Sequence, residues 1–211
     1  MERKTDWDGY YRRPFKATTV TRRITTARLL RQLALRLPGE SDVVEWGGAN
    51  SCFIDAIYRA LRPARYTVAD SNRLGLGLLE ARRENYPGLA TLEDDVLQPR
   101  QPLQADIVFS VGLIEHFNAA GTARAVRAHF DSAREGGLVV ISFPTPTWLY
   151  RATRWLAERL GLWIFHDERP LRFEEVEREM ARHGDFVARD LIWPIFLTQG
   201  MLAFRKRSRP A

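Results

Sequence analysis

The chain has 211 residues, 45% of them hydrophobic, which suits one domain burying about 70% of its unfolded surface. Its single cysteine, Cys52, excludes an internal disulfide and fits a reducing cytoplasm; no secretory leader or membrane-spanning apolar run is visible. The formal charge of +6 is uneven: residues 1–40 hold ten basic and four acidic groups, residues 41–204 eighteen and twenty-two, and residues 205–211 four basic groups.

Basic ends on a mildly acidic body suit an anionic membrane, a phosphate-bearing substrate or nucleic acid, or merely favour solubility. Residues 1–19 set Trp7, Tyr10, Tyr11 and Phe15 among charges, and Pro14 prevents a long helix. A disordered tail rarely carries so many aromatics, so this segment is expected to fold over something. Residues 20–37 read as a helix through Val20, Ile24, Ala27, Leu30, Ala34 and Leu37, stopped by Pro38-Gly39.

Val43 and Val44 form a short buried strand with Glu45 at its end, and Gly47-Gly48 make a tight turn. Phe53, Ile54, Ile57, Tyr58 and Leu61 then take helical spacing, with Cys52 expected as a small buried residue of that helix. A second strand, Tyr66–Ala69, ends in Asp70, either a helix cap or an acceptor for both hydroxyls of a ribose. A Leu-rich helix reaches Tyr86-Pro87-Gly88, and Thr91–Glu93 lead into the acid pair Asp94-Asp95 ahead of Val96.

Asp106–Val111 is the clearest core strand, followed by Gly112-Leu113-Ile114-Glu115-His116-Phe117. A helix through Val126, Phe130 and Ala133 is expected to stop at Gly136-Gly137, before the buried strand Leu138–Phe143. Residues 147–165 read as an aromatic, basic helix carrying Trp148, Tyr150, Trp155 and Trp163 among Arg151, Arg154 and Arg159. That mixture fits an amphipathic lid over the sheet edge, a membrane interface, or a pocket for a phosphorylated, partly greasy substrate. His166–Pro170 precede a helix from Phe173 to His183, and Phe186–Ala188 and Leu202–Phe204 read as two closing strands.

Strand, acid, glycine turn and helix, then a second strand ending in an acid, resemble a class I S-adenosylmethionine-dependent methyltransferase over residues 41–204. The first motif of that family, an acid followed by spaced glycines, stands here as Glu45-Trp46-Gly47-Gly48-Ala49-Asn50-Ser51, with Ala49 and Ser51 in two glycine places. The resemblance implies an α/β fold with a doubly wound, seven-stranded, mostly parallel sheet and an antiparallel C-terminal edge. It implies S-adenosylmethionine as cofactor, held by Glu45, Gly47, Gly48, Asp70, Asp95 with Val96 (Asp94 being the alternative), Ser110, and Tyr11 from a closing N-terminal segment. A nicotinamide-binding unit shares the glycine turn and later acid, but less often the antiparallel edge.

The domain organisation expected is a basic aromatic segment and helix at 1–40, a methyltransferase domain at 41–204 with lid helix 147–165, and a basic tail at 205–211. Methyl transfer to a hydroxyl benefits from a base near neutrality, which histidine supplies. His116 after the fourth strand and His166 before the last long helix both belong to loops that converge on the crevice of such sheets. His116 is the first choice, with Glu115 orienting it or simply solvated. No cluster has metal-ligand spacing. The acceptor expected is a hydroxyl on a small or lipid-linked molecule, a saccharide among the candidates, handled at the inner face of the membrane or in the cytoplasm. An RNA-modifying enzyme and a non-catalytic cofactor-binding partner are the alternatives; the missing Asn/Asp-Pro-Pro-aromatic signature counts against base methylation.

Overall fold

The computed structural model describes residues 5–12, 19–36, 40–100, 103–192 and 196–208. Seven strands form one sheet in the order β3-β2-β1-β4-β5-β7-β6. They are β1 (Asp42–Trp46), β2 (Arg65–Asp70), β3 (Leu89–Glu93), β4 (Ala105–Val111), β5 (Ala133–Pro144), β6 (Gly184–Ile192) and β7 (Gln199–Lys206). The first five are parallel, and β7 pairs antiparallel with both β5 and β6. The expected doubly wound sheet with an antiparallel edge is therefore the observed one.

The helices are α1 (Trp7–Arg12), α2 (Thr19–Leu33), α3 (Ile54–Leu61), α4 (Arg73–Glu80), α5 (Ala119–Ser132), α6 (Trp148–Arg159) and α7 (Phe173–Ala181). Alternate residues of the central strands feed two apolar layers, as a sheet covered on both faces requires. Val43, Ile107, Phe109, Leu138 and Val140 face the layer of α2, α3 and α4. Val44, Val108, Val139, Ile141 and Phe143 face the layer of α5 and α7. Each such fully buried side chain contributes on the order of 1.5–3 kcal/mol.

Several boundaries differ from the sequence reading. Helix α5 ends at Ser132 and β5 starts at once at Ala133, so Gly136-Gly137 lie inside the strand. A Cβ on Gly137 would come within 2.8 Å of the Arg134 carbonyl, so the strand passes there only with a hydrogen in that place. The helix expected over 147–165 covers only Trp148–Arg159. Cys52 precedes α3 and is exposed. Pro14, Phe15, Leu37, Pro38 and Gly39 lie outside the described residues.

The basic tail is also shorter than expected. Arg205 and Lys206 belong to β7, where Arg205 donates to the carbonyls of Gly136 and Leu35 and Lys206 to that of Ala133. Arg207 bonds Asp185 and the carbonyls of Ala181 and Gly184. In α2, Arg28 and Arg31 both hold Asp190 of β6. Five of the terminal basic residues, Arg28, Arg31, Arg205, Lys206 and Arg207, thus fasten the C-terminal strands.

Candidate active site

The strand order reverses between β1 and β4, and the loops beyond their carboxyl ends form the crevice where such sheets bind ligands. Gly47 turns the chain there at φ +72°, its N–H bonded to Ala69 O at 2.8 Å. A Cβ on Gly47 would lie 2.8 Å from Leu113 Cδ1, and one on Gly48 2.5 Å from Glu45 Cδ. The turn is pressed between the loop after β4 and the acid of its own strand. Only glycines fit.

The two departures from the glycine pattern have structural explanations. Ala49 is fully buried and its Cβ would meet a Cβ on Gly75 at 2.5 Å, so α4 supplies the missing space from its own glycine. The Ser51 hydroxyl accepts the Phe53 N–H beside Glu45 and Tyr66. Trp46, at the motif's variable place, is buried on the other face and donates its indole N–H to Ser132 Oγ at 3.1 Å.

Glu45 is buried, and Tyr66 Oη donates to its Oε2 at 2.6 Å. Burial lifts its carboxyl to about 7 against the opposing hydrogen bonds from Ser51 and Tyr66. Asp70, one strand over, is raised by burial, while backbone N–H groups of Asn72, Ala49 and Ser71 pull it back. The helix-cap alternative for Asp70 is corrected: Asn72 caps α4, its side chain accepting the Gly75 N–H, while Asp70 Oδ1 accepts the Asn72 N–H at 2.8 Å.

Tyr11 closes over this pair of acids. Burial first, then Asp70, Tyr10 and Glu45, push its phenol up, and its ring would lie 3.2 Å from a Cβ on Gly75. Helix α1 is held down by Asn72 Nδ2 donating to Asp8 at 2.7 Å and by Arg22 donating to Tyr10 Oη at 3.0 Å. The N-terminal segment therefore folds over the crevice, as its aromatics suggested.

The other candidate cofactor residues separate. Val96 is buried with Val44, Trp46 and Ala69. Asp95 is exposed and accepts the Leu97 N–H, while Asp94 is buried, accepting from the N–H groups of Asp95 and Arg100. Both acids serve the turn after β3, Asp94 nearer to Asp70, whose carbonyl accepts its N–H at 3.0 Å. Ser110 is a correction: its Oγ lies 2.8 Å from His129 Nε2 beneath α5, so that side chain is committed to the layer and not to the crevice. Residue alternation along β4 puts it opposite Phe109.

His116 ends the one-turn 3₁₀ segment Ile114–His116 after β4. Its Nδ1 sits 3.1 Å from Asp167 Oδ1, and its ring meets Trp7 edge-on at 5.0 Å and Phe165 at 6.2 Å. Burial pushes the imidazole below its ordinary value, against the pull of Asp167. Burial raises Asp167 in turn, but hydrogen bonds from Thr5 and His116 outweigh it and hold that carboxyl low. Trp7 also stacks on Tyr11 at 6.3 Å, which joins the His116 half of the crevice to the Asp70 half.

His166 does not share this position. It is exposed, and its neighbour Asp167 reaches His116 instead. Glu115 neither orients His116 nor is solvated: it is buried, and its Oε2 has no hydrogen-bond partner among the described residues. Burial, then Glu168 and Asp167, raise its carboxyl well above the usual range. Glu168 accepts from Tyr150 Oη and is lifted by burial to about 7.

Asp167, Glu168 and Phe165 had no assigned role in the sequence reading, and Trp7 and Tyr150 were read only as parts of the N-terminal aromatic segment and of the 147–165 helix. A signal existed for the acids, a carboxylate pair directly after a histidine in a Pro-bounded loop, but spacing could not say which side chain turns inward. Among the described residues no group of His, Cys, Asp and Glu is arranged to hold a metal ion.

The architecture has known counterparts. The N-methyltransferase NodS from Bradyrhizobium japonicum, solved with S-adenosyl-L-homocysteine, superposes with TM-score 0.67 at 16% identity over 89% of this chain and 87% of its own. The magnesium protoporphyrin IX methyltransferase ChlM from Synechocystis, with the same ligand, gives 0.69 at 16% identity over 90% and 84%. A chain of the complex between the Haloferax volcanii Trm112 methyltransferase activator and a putative methyltransferase gives 0.76 at 13% identity over 98% and 100%. The fold is that of the class I methyltransferases. No protein-family model matches the chain, and no curated relative matches its sequence.

Proposed function

We propose that the chain is an S-adenosylmethionine-dependent methyltransferase acting on a hydroxyl of a small or lipid-linked acceptor, with saccharides as the first candidates. The observation that carries this reading is the His116–Asp167 pair, set at the carboxyl end of β4 beside the glycine turn and beneath the aromatic α1. The crevice residues fit the cofactor: the turn leaves no room for side chains at Gly47 and Gly48, and a carboxylate stands at the end of β2. Glu45, Gly47, Gly48, Asp70 and Tyr11 would hold it, with Asp94 or Asp95 and Val96 on the β3 side.

When bound, the cofactor supplies an electrophilic methyl on a sulfonium. The protein's task is then positioning and proton management. Asp167, kept ionised, accepts the Nδ1 proton of His116 and fixes the ring, leaving Nε2 to take the acceptor's proton. Trp7 and Phe165 pack on the imidazole, with Tyr10 and Tyr11 packed on Trp7 behind them, and together they limit water around it. We assign the reaction to the cytoplasm, which the single cysteine supports, with the inner face of the membrane as the alternative setting.

Calorimetry with S-adenosylhomocysteine and with NAD tests the cofactor, and turnover on matched hydroxyl and amine acceptors tests the chemistry. Binding of NAD alone would sink the assignment. Cofactor binding without transfer to any acceptor would make the chain a non-catalytic partner, and RNA binding with a steep salt dependence would point to a nucleic-acid substrate.

A further inference from the structure

Helix α6 is turned the wrong way for a helix that only covers a sheet. Its outward stripe, one residue in every three or four, is Trp148, Arg151, Ala152, Trp155, Leu156 and Arg159, and every one of them is exposed. Trp148 is 71% exposed, Trp155 59% and Leu156 51%, and Leu160 and Leu162 extend the same apolar skirt past the helix end. The face toward the protein buries a single residue, Tyr150. Helix α7 shows the ordinary arrangement, with Phe173, Val176 and Met180 all buried.

Beside the stripe lies an open cleft of about 510 Å³ into which Arg151, Arg154, Arg169 and Arg172 all contribute, against the carboxylates Glu158 and Glu175. Arg154 is held by Glu158 at 2.7 Å and Arg169 by Glu175 at 2.8 Å. Arg151 and Arg172 have no carboxylate partner among the described residues, and Arg169 Nε is buried without an acceptor. Two guanidinium groups without a carboxylate partner in one cleft favour an anion there.

We propose that α6 and this cleft form a docking site for an anionic phospholipid surface, with a lipid phosphate among the arginines and Trp148, Trp155, Leu156, Leu160 and Leu162 in the interfacial zone. Charge complementarity selects this occupant. Indole rings and aliphatic side chains interleaved with arginine match a layer where apolar chains meet phosphates. A second copy paired through the same stripe about a two-fold axis would bring the Arg151 and Arg159 rows of both chains together. The cleft also adjoins the crevice: Tyr150 lines it and donates to Glu168, next to the Asp167 that meets His116. The docking site stands independently of the methyl-transfer reading, since its test uses no cofactor or acceptor.

The test is co-sedimentation of the full chain with phosphatidylcholine vesicles and with the same vesicles doped with phosphatidylglycerol, at low and high salt. Pelleting is expected with the doped vesicles only, and to fall as salt rises. At about fivefold per basic residue, Arg151→Gln with Arg172→Gln should weaken partitioning about 25-fold. Trp155→Ser with Leu156→Ser should weaken it as well, and circular dichroism confirms that these surface variants stay folded. Equal pelleting with both vesicles, or none, overturns the proposal, as does doped-vesicle binding that neither double variant weakens. Tight calorimetric binding of inorganic phosphate without vesicle pelleting assigns the cleft to a soluble anion. A dimer seen by sedimentation velocity and dissolved by Trp155→Ser/Leu156→Ser assigns the stripe to self-association.

Discussion

His116 Nδ1 lies 3.1 Å from Asp167 Oδ1, across 51 residues of sequence, and this contact ties the loop after β4 to the segment ahead of α7. It gives the crevice an imidazole with a fixed orientation and a carboxylate already ionised to support it. The geometry allows specific expectations for variants.

His116→Ala is expected to lower turnover by about 10²–10⁴ while changing cofactor affinity by less than about threefold. Because burial holds the imidazole below its ordinary value, it stays neutral and basic to lower pH, and the acid limb of kcat should fall below about 6.5. Asp167→Asn removes the group that pulls the ring upward, so the limb should move further toward acid. A pH–rate profile reads both. Normal turnover in His116→Ala would leave positioning alone as the source of catalysis, with exposed His166→Ala as the neutral control.

Asp70→Ala should weaken cofactor binding by about 1.5–3 kcal/mol if its charge-assisted bonds to a ribose form. Calorimetry with S-adenosylhomocysteine measures this directly. An unchanged Kd would show that the carboxylate serves only the Asn72 and Ala49 amides it already accepts from.

Gly47→Ala should cost about 1–2 kcal/mol for the left-handed backbone alone, and more from the overlap at 2.8 Å with Leu113 Cδ1. Chemical denaturation gives the stability change. Restoring stability by adding Leu113→Ala would establish that the loop after β4 is the obstacle.

His129 supplies a pH test of the fold. Its Nδ1 lies 2.7 Å from Ala125 O and its Nε2 2.8 Å from Ser110 Oγ, and burial holds the ring at about 4. The unfolded chain takes up the proton near 6.5, so the neutral ring's contribution is complete above 6.5 and is lost as pH falls from 6.5 toward 4. Relative to His129→Gln, the wild type should lose on the order of 3 kcal/mol across that window. Glu45 and Glu168, raised to about 7, act in the opposite sense, because their stabilisation is complete below about 4.5 and declines as pH rises through 7. The difference between the two proteins isolates the histidine.

The sequence by itself determined the frame. Val43-Val44, Asp106–Val111 and Leu138–Phe143 are β-branched, apolar runs that only a buried sheet accommodates, and the Gly47-Gly48 turn between Glu45 and α3 marks where its strands converge. Those signals are local, carried by residues within a few positions of one another. Tertiary structure decided what depends on direction and distant partners. Alternation implies that Ser110 and Phe109 face opposite layers, but only the packing of α5 puts His129 over the serine. The loop His166–Pro170 offers three titratable side chains in succession, and the path of the chain turns Asp167 and Glu168 inward while leaving His166 exposed. Arg205 and Lys206 read as tail because charge is usually solvated; pairing with β5 and β6 made them strand, their side chains bonded to backbone carbonyls that nothing in the local sequence announces.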